Sequence, residues 1–377
     1  MTIPYSTQTI RKKDIDSVVK VLQSAWLTTG PWVDQFEQKV ARLVGAKYAV
    51  AVANGTAALH TACFGVGIRA GDEVITTPYS FAATANCVLY SGGKVVFADI
   101  DRASFGINTA LVKTKVTKKT KAIIGVDFAG LPCDWQRLKQ IATKHGLTLI
   151  ADAAHSLGAQ YRGKAVGTLA DVTCFSFHPV KTITTGEGGM VVTNNKSIYE
   201  RMRRFRTHGI LKDVRKTEPW YYEMRDLGFN YRLTDMQAAL GLSQLSRVKS
   251  FVNTRRQLAQ RYSKAFTDLK YLRLPQNDTD EKKSSWHLYP LRIDFARLRK
   301  SKGKLFAQAK RAGIFLQVHY IPIHLQPYYR KMFGYKRGDF PISEEAYNQE
   351  VSLPLYPTLT RAQQDKVIQF MRWFLIS

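Results

Sequence analysis

Cysteine is scarce in this chain. Only four occur in 377 residues, at Cys63, Cys87, Cys133 and Cys174, and no two share C-x-x-C spacing. That scarcity excludes a disulfide framework and a thiolate metal site, and predicts buried thiols in a reducing, cytoplasmic setting. Acidic residues are also few: 29 against 56 Lys and Arg, a formal net charge of +27. No apolar run reaches the about 18 residues that a membrane helix needs. The N-terminal stretch MTIPYSTQTIRKKD lacks the charged-then-apolar order of a signal peptide. Repeats and low-complexity tracts are missing as well. What remains is the composition of an ordinary globular protein, 45% hydrophobic and 23% charged.

The basic surplus raises nucleic acid as a partner. No zinc-finger spacing, basic zipper or aromatic RNA-binding strand accompanies it, so nucleic acid is set aside. The densest cluster, RMRRFRTHG at 201–209, reads as a solvated helix face with a few anion contacts. The surplus also suits a small polyanion such as a nucleotide sugar.

Apolar strands alternate with helical stretches through the first two thirds of the chain. KYAVAVAN, EVITTP, KVVFADI, KAIIGVDFAG, LTLIADAAHS, DVTCFSFH and GGMVVTN read as strands, and GTAALHTACFGVG, FAATANCVLYSG and DWQRLKQIATKHG as helices. Continuous apolar strands between helices predict an α/β fold with a mostly parallel sheet covered on both faces. The pattern changes near residue 235. DMQAALGLSQLSRVKSFVNTRRQLAQRYSKAF reads as one long helix or two in succession, followed by strand HLYPLRIDF, helix KLFAQAKRAG and strand IFLQVHY. The last helix, TRAQQDKVIQFMRWFL, opens with Thr360 and Gln363 at capping-box spacing. The expected organisation is a large α/β domain over 13–245 and a smaller α+β domain over 246–377, with residues 1–12 packing on the latter.

One stretch stands out chemically. CFSFHPVKTITTGEGG, 174–189, places a lone cation, Lys181, after an apolar strand. An ordinary lysine, with a pKa of about 10.4, is protonated at neutral pH. Partial burial and a nearby cation would free its amine to condense with an aldehyde. Pyridoxal 5′-phosphate exploits such a lysine, and needs three further services: a carboxylate for its ring nitrogen, donors for its phosphate and a flat side chain on its ring. Asp152, ending LTLIAD, supplies the carboxylate at the carboxyl edge of the sheet, where ligands of such folds sit. NGTAA, 54–58, offers a strand-to-helix turn with Thr56. Ser176 adds a hydroxyl, and Phe81, expected to open the helix after TTPYS, can cover the ring. Each residue alone has a plain structural reading; the combination, in this order, does not.

The segment ADAAHSLGAQYRGKAVGTLADVTCFSFHPVKTITTGEGGMVVTN resembles the core of the DegT/DnrJ/EryC1/StrS sugar aminotransferases, of pyridoxal-dependent fold type I. WLTTGP, NGTAALHTA, GDEVITTPYSFAATAN, GFNYRLTDMQAALGLSQL and QVHYIPIH extend the likeness over nearly the whole chain. The branch it is most similar to comprises the UDP-4-keto-sugar aminotransferases of pseudaminic acid synthesis.

The resemblance implies roles. Lys181 matches the lysine that bonds the cofactor, Asp152 the partner of the pyridine nitrogen, and His155 the position near the ring hydroxyl. Phe81 matches the stacking aromatic, and Thr56, Ala57 and Ser176 the phosphate ligands. Asn230 matches an asparagine reaching the phosphate from the neighbouring subunit, which implies a homodimer with shared sites. His319, Tyr320, Trp26, Gly30 and Arg232 match segments that approach the sugar nucleotide. No metal is implied. Ala151 departs from the glutamate that many members carry there. The implied reaction is a ping-pong transfer of an amino group from L-glutamate to a keto sugar. A dehydratase of this fold has histidine in place of Lys181; a desulfurase needs a cysteine on a flexible loop; a non-catalytic regulator has no use for an intact set.

Overall fold

The computed structural model describes residues 2–212, 214 and 217–376. Its centre is a seven-stranded sheet built from β1 (Tyr48–Val52), β2 (Glu73–Thr76), β3 (Lys94–Phe97), β4 (Thr120–Val126), β5 (Thr148–Asp152), β6 (Val172–Ser176) and β7 (Gly189–Thr193). The spatial order is β1-β7-β6-β5-β4-β2-β3. Pairs β2–β3, β2–β4, β4–β5 and β5–β6 are parallel. Only β7 runs against its neighbours β1 and β6. The α/β sheet read from the apolar runs is therefore present, mostly parallel and clad on both faces.

Strand alternation sorts the side chains into two cores. Val50, Val52, Ile124, Ile150, Val172 and Val191 pack under helices Gly55–Gly65 and Ala83–Tyr90. Ala49, Ala51, Phe175, Met190 and Val192 face the other way, onto Phe36 and Val40 of helix Pro31–Val44 and onto Val248, Phe251 and Val252. Helix Pro31–Val44 begins at Gly30 with proline in its first turn and ends on left-handed Gly45. Its free N-terminal amides are met from a distance: the Asp235 carboxylate accepts from Gly30, Trp32 and Val33 at 2.7, 2.9 and 3.3 Å.

The long helical stretch is two helices, Asp235–Leu245 and Val248–Phe266. Past it, strands Leu272–Arg273, Tyr289–Ile293 and Glu350–Leu353 form a small antiparallel sheet. Helices Val248–Phe266, Lys302–Arg311 and Arg361–Ile376 pack on it, around Tyr289, Leu305 and Met371. Ile3 is buried in the same core, and its amide donates to Gly313 O at 2.8 Å. Thr360 and Gln363 exchange the two capping-box bonds at 2.9 and 3.2 Å.

Three expectations change. IFLQVHY is not a regular strand: Ile314 and Gln317 make isolated bridges to Ile3 and Ser352, and the chain then turns away toward the sheet edge. The RMRRFRTHG helix face is only partly left to solvent: Arg203 is exposed, and the anion contacts are carboxylates of this chain. Arg204 pairs with Asp226 at 3.0 Å, Arg206 pairs with Glu37, and Arg201 donates to Phe64 O at 3.0 Å. Phe81 lies two residues before its helix, which starts at Ala83. All four cysteines are free and buried, as expected. Among the described residues no cluster of histidine, cysteine or carboxylate could hold a metal, and no helix is long and apolar enough to cross a membrane.

Candidate active site

β5 and β6 are adjacent and parallel, so Asp152, pairing with Cys174, points its end of the strand to the same sheet edge as the turn after Ser176. That turn closes with Lys181 N–H donating to His178 O at 2.9 Å, and places Lys181 beside Asp152. Lys181 as a residue is half-buried, but its ammonium sits deep enough to lose most of its hydration. Desolvation is the main cause that pushes its pKa down to about 8; Arg255 adds to the fall, and Asp152 opposes it.

Asp152 is buried, and Oδ2 accepts a 2.6 Å bond from Thr84 Oγ1 while Oδ1 accepts from Ala154 N at 3.2 Å. Burial raises its pKa; the Thr84 and Ala154 bonds and then Lys181 pull it back. No ion pair to Asp152 forms within 4 Å among the described residues. A buried carboxylate held by one hydroxyl and one amide fits a cationic ring nitrogen as its missing partner.

A cradle lies at the N-terminus of helix Gly55–Gly65. Asn54 caps it by accepting from Ala57 N at 2.8 Å, and Ala58 N bonds Asn54 O. The Ala57 amide is thus already engaged. The first two amides, Gly55 and Thr56, have no partner among the described residues, as helix geometry requires. Gly55 is needed there: a Cβ would lie 2.9 Å from Ser176 Cβ and 3.0 Å from its Oγ. That closeness puts the Ser176 hydroxyl beside two free amides and the positive end of an 11-residue helix, which suits a phosphate dianion.

The opposite wall is aromatic. Tyr320 OH lies 3.1 Å from His155 Nε2, and its ring is 6.0 Å from Phe81. Phe81 is 60% exposed, a large flat ring with an open face. His155 is buried, and its Nδ1 has no partner in the described structure. With Tyr320 donating to Nε2, the proton of the neutral ring resides on Nδ1, a donor awaiting an acceptor such as a ring oxygen. Burial holds His155 well below the usual imidazole range, and Lys181 and His319 add to the effect. His319 is pinned by Ser352 Oγ at 2.8 Å on Nδ1 and by its amide donating to Glu350 at 2.8 Å; burial takes its pKa down to about 3. His319 thus supports Tyr320 from behind.

Together these features meet all four demands of pyridoxal phosphate: a desolvated amine, an unpaired buried carboxylate, a free-amide cradle and an open aromatic face. The remaining sequence candidates fall elsewhere. Gly30 serves the fold: its amide is held by Asp235, and a Cβ would sit 2.6 Å from Trp26 Cβ. Trp26 is 54% exposed, and Arg232 is half-buried. Thr28 bridges Thr234, which ties the Trp26 loop to the Arg232 segment. Asn230 is exposed and bridges Thr207; no bond joins it to the Lys181 site of its own chain among the described residues. Thr84, Arg255 and His287 belong to the site and escaped the sequence reading. His287 packs against His155, with ring centroids 4.3 Å apart and the planes tilted by 36°, and Arg255 donates to His287 O.

A mostly parallel seven-stranded sheet with this site at its carboxyl edge is the architecture of pyridoxal-dependent fold type I. The model of the DegT/DnrJ/EryC1/StrS aminotransferase family matches residues 8–372, and the chain belongs to that family. It is 40% identical, over 98% of its length and 96% of the relative's, to the spore coat polysaccharide biosynthesis protein SpsC of Bacillus subtilis. It is 39% identical, over 94% of its length and 92% of the relative's, to a UDP-4-amino-4,6-dideoxy-N-acetyl-beta-L-altrosamine transaminase of Campylobacter jejuni. Among solved structures, Helicobacter pylori PseC, an aminotransferase involved in pseudoaminic acid biosynthesis, superimposes with a TM-score of 0.93 at 33% identity, covering 100% of both chains. The protein is a pyridoxal-dependent sugar aminotransferase.

Proposed function

We propose that this enzyme moves an amino group from L-glutamate to C4 of a UDP-linked 4-keto-6-deoxy-N-acetylhexosamine, as a cytoplasmic homodimer with shared sites. The observation that carries the substrate is the 39% identity, along nearly the full chain, to a transaminase named for that 4-amino UDP sugar. The full-length superposition on PseC points the same way, and the +27 charge suits a nucleoside diphosphate.

Bound pyridoxal phosphate would supply an aldehyde and an electron-accepting ring that makes the donor's α-proton acidic. Asp152 is the residue to meet the ring nitrogen, with Thr84 fixing its carboxylate. Gly55, Thr56 and Ser176 receive the phosphate, with Ala57 contributing through the helix end it caps. His155 faces the ring hydroxyl and Phe81 covers one face. Lys181, with a pKa of about 8, has about a tenth of its population as amine at pH 7, far more than an ordinary lysine, so Nζ accepts the α-proton and delivers it to the neighbouring carbon. The second half-reaction runs these residue roles in reverse on a keto sugar. Tyr320 orients that sugar, His319 holds Tyr320, and Trp26 and Arg232 approach it from two segments joined by the Thr28–Thr234 bridge. Asn230 serves the neighbouring subunit's phosphate.

The test compares kcat/KM for the UDP-linked 4-keto sugar bearing a 2-acetamido group with that for dTDP-4-keto-6-deoxyglucose. A site that hydrogen-bonds the acetamido group leaves its own polar atoms unpaired when that group is missing, and this disfavours the dTDP sugar by on the order of 10²-fold or more. NMR of the product should place the new amine at C4. Preference for the dTDP sugar, or an amine at C3, would move the enzyme to another substrate.

A further inference from the structure

Helix Val248–Phe266 carries three arginines that reach inward or sideways. Arg256 pairs with Asp278 at 2.8 Å, and Arg261 pairs with Asp365. Arg255, 1% exposed, has no carboxylate within 4 Å among the described residues. Its guanidinium instead donates to three backbone carbonyls: Nη1 to Leu355 O at 2.7 Å and His287 O at 3.1 Å, and Nη2 to Val180 O at 3.5 Å. Its Nε has no partner in the described structure. A buried cation without an anion is costly, so its position calls for a reason.

The three carbonyls supply one. Val180 O belongs to the peptide immediately before Lys181. His287 packs against His155. Leu355 follows the strand that holds Glu350 and Ser352 beneath His319. One planar fork thus joins the lysine turn to both histidine-bearing walls of the site. Arg255 and Lys181 line the same small cavity, with Thr9, Thr184 and Gln244. No other strong cation reaches that cavity among the described residues.

We infer that Arg255 is the positioning residue of Lys181: it fixes the turn that bears the lysine and, as an unneutralised buried cation, disfavours the lysine's ammonium form. A second cation beside a lysine is a known physical route to an active amine. A lysine in place of Arg255 would keep the charge but lose the fork, whereas methionine would lose both. The other groups that face Lys181 are Asp152, which favours its ammonium, and His155, His287 and His319, which burial keeps neutral. Those imidazoles carry no charge near pH 7, so Arg255 is the cation that opposes Asp152.

The inference rests on Lys181 being the working amine, but its test needs no turnover. The cofactor-free protein is labelled with trace acetic anhydride across pH 6 to 11, and the Lys181 peptide is quantified by mass spectrometry against surface lysines. In the native protein Lys181 should titrate near 8, well below the about 10.4 of surface lysines. Arg255→Met should slow labelling of Lys181 at pH 8 by about twofold to fivefold, the effect of losing a like charge that lines the same cavity. Arg255→Lys should keep the native labelling curve, because the charge stays although the fork is lost. Three results would overturn the inference: native Lys181 titrating with the surface lysines, a folded Arg255→Met protein with an unchanged curve, or an Arg255→Lys protein whose Lys181 titrates like a surface lysine. The last comparison stands even if methionine prevents folding. A protein that shows the low titration but no aminotransferase activity would fault the functional proposal and leave this inference standing.

Discussion

A single hydroxyl governs how Asp152 meets a ligand. Thr84 Oγ1 is fully buried, donates to Asp152 Oδ2 at 2.6 Å and is itself 2.7 Å from Ser80 Oγ. With Ser80 donating to Thr84, the three groups form a directed relay that ends on the carboxylate. Thr84→Val keeps the shape and removes the donor. A bond to a charged group is worth about 1.5–3 kcal/mol, so cofactor affinity should fall roughly tenfold to a hundredfold. Thr84→Ser should restore most of it. Spectrophotometric titration of the cofactor-free protein measures this, and an unchanged affinity in the valine variant would contradict the relay. Residues such as Thr84 explain where the sequence was legible and where it was not. Lys181 and Asp152 could be found because one lies in the turn just after an apolar strand and the other ends one, and strand ends are visible in sequence. Thr84 meets its partner 68 positions away, and Arg255 meets Val180 75 positions away. A threonine in a helical stretch and an arginine among arginines carry no local signal of a buried bond. Gly30 shows the reverse case: its place in a family-like segment pointed to substrate, and the structure adds a role for its amide, which closes a helix end with Asp235.

Helix Gly55–Gly65 shows how one element joins the cradle to the core. Its N-terminus presents the free amides, and His60, one turn further on, anchors its other side. His60 Nδ1 lies 3.1 Å from Tyr231 OH, inside a cage of Tyr90, Phe205 and Phe229. Desolvation takes its pKa down to about 4. The unfolded chain gains a proton on this imidazole below about pH 6.5, whereas the folded chain gains it only near 4. The unfolded state therefore binds more protons between these values, and the native protein loses stability as pH falls through that window, by about 1.4 kcal/mol per pH unit. Relative to a His60→Gln variant, the native protein should lose about 3 kcal/mol between pH 6.5 and 4, with no further change below. Denaturant unfolding of the two proteins across that range checks it; a difference that does not vary with pH would show that His60 is charged in the fold. Most elements were readable from periodicity, because apolar runs bounded by Gly and Asn mark strands and caps in the chain itself. IFLQVHY misled because a β-rich run says nothing about a partner: Ile314 and Gln317 pair at isolated points, and the rest is spent carrying His319 and Tyr320 to the site. The arginine helix was expected to make a few anion contacts, but which ones could not be read, because its counter-charges, Glu37 and Asp226, lie outside the helix.

At the scale of the whole molecule, the charge and an uncovered surface among the described residues remain to be accounted for. The +27 surplus is spread over the chain, and serves steering of an anionic substrate better than any one contact. The uncovered surface is local. A two-stranded hairpin, Ile210–Lys212 with Tyr222–Met224, and the segment after it leave Trp220 76% and Leu227 81% exposed, with Tyr222, Met224 and Phe229 beside them. Large apolar side chains so concentrated mark an interaction surface. Asn230 lies at its end, exposed and unconnected to its own Lys181 site. The proposed homodimer accounts for both observations, since a second copy would cover the apolar surface and receive Asn230. Leu227→Asp places an unpaired charge in that contact and should shift the protein toward monomer in sedimentation, with loss of activity at the same dilution. The sharper experiment uses two inactive chains. Lys181→Ala removes the proton-transferring amine and should lower turnover on the order of 10²–10⁴-fold. Asn230→Ala should weaken cofactor retention. Refolded together, they form heterodimers in which one site combines Lys181 of one chain with Asn230 of the other, while the second site lacks both. With random pairing about half of the dimers are mixed, so activity should return to roughly a quarter of the native value. Each parent refolded alone stays low, so recovery can only come from a site built by two chains. If the mixture stays as inactive as its parents, Asn230 serves its own chain and the shared site is wrong.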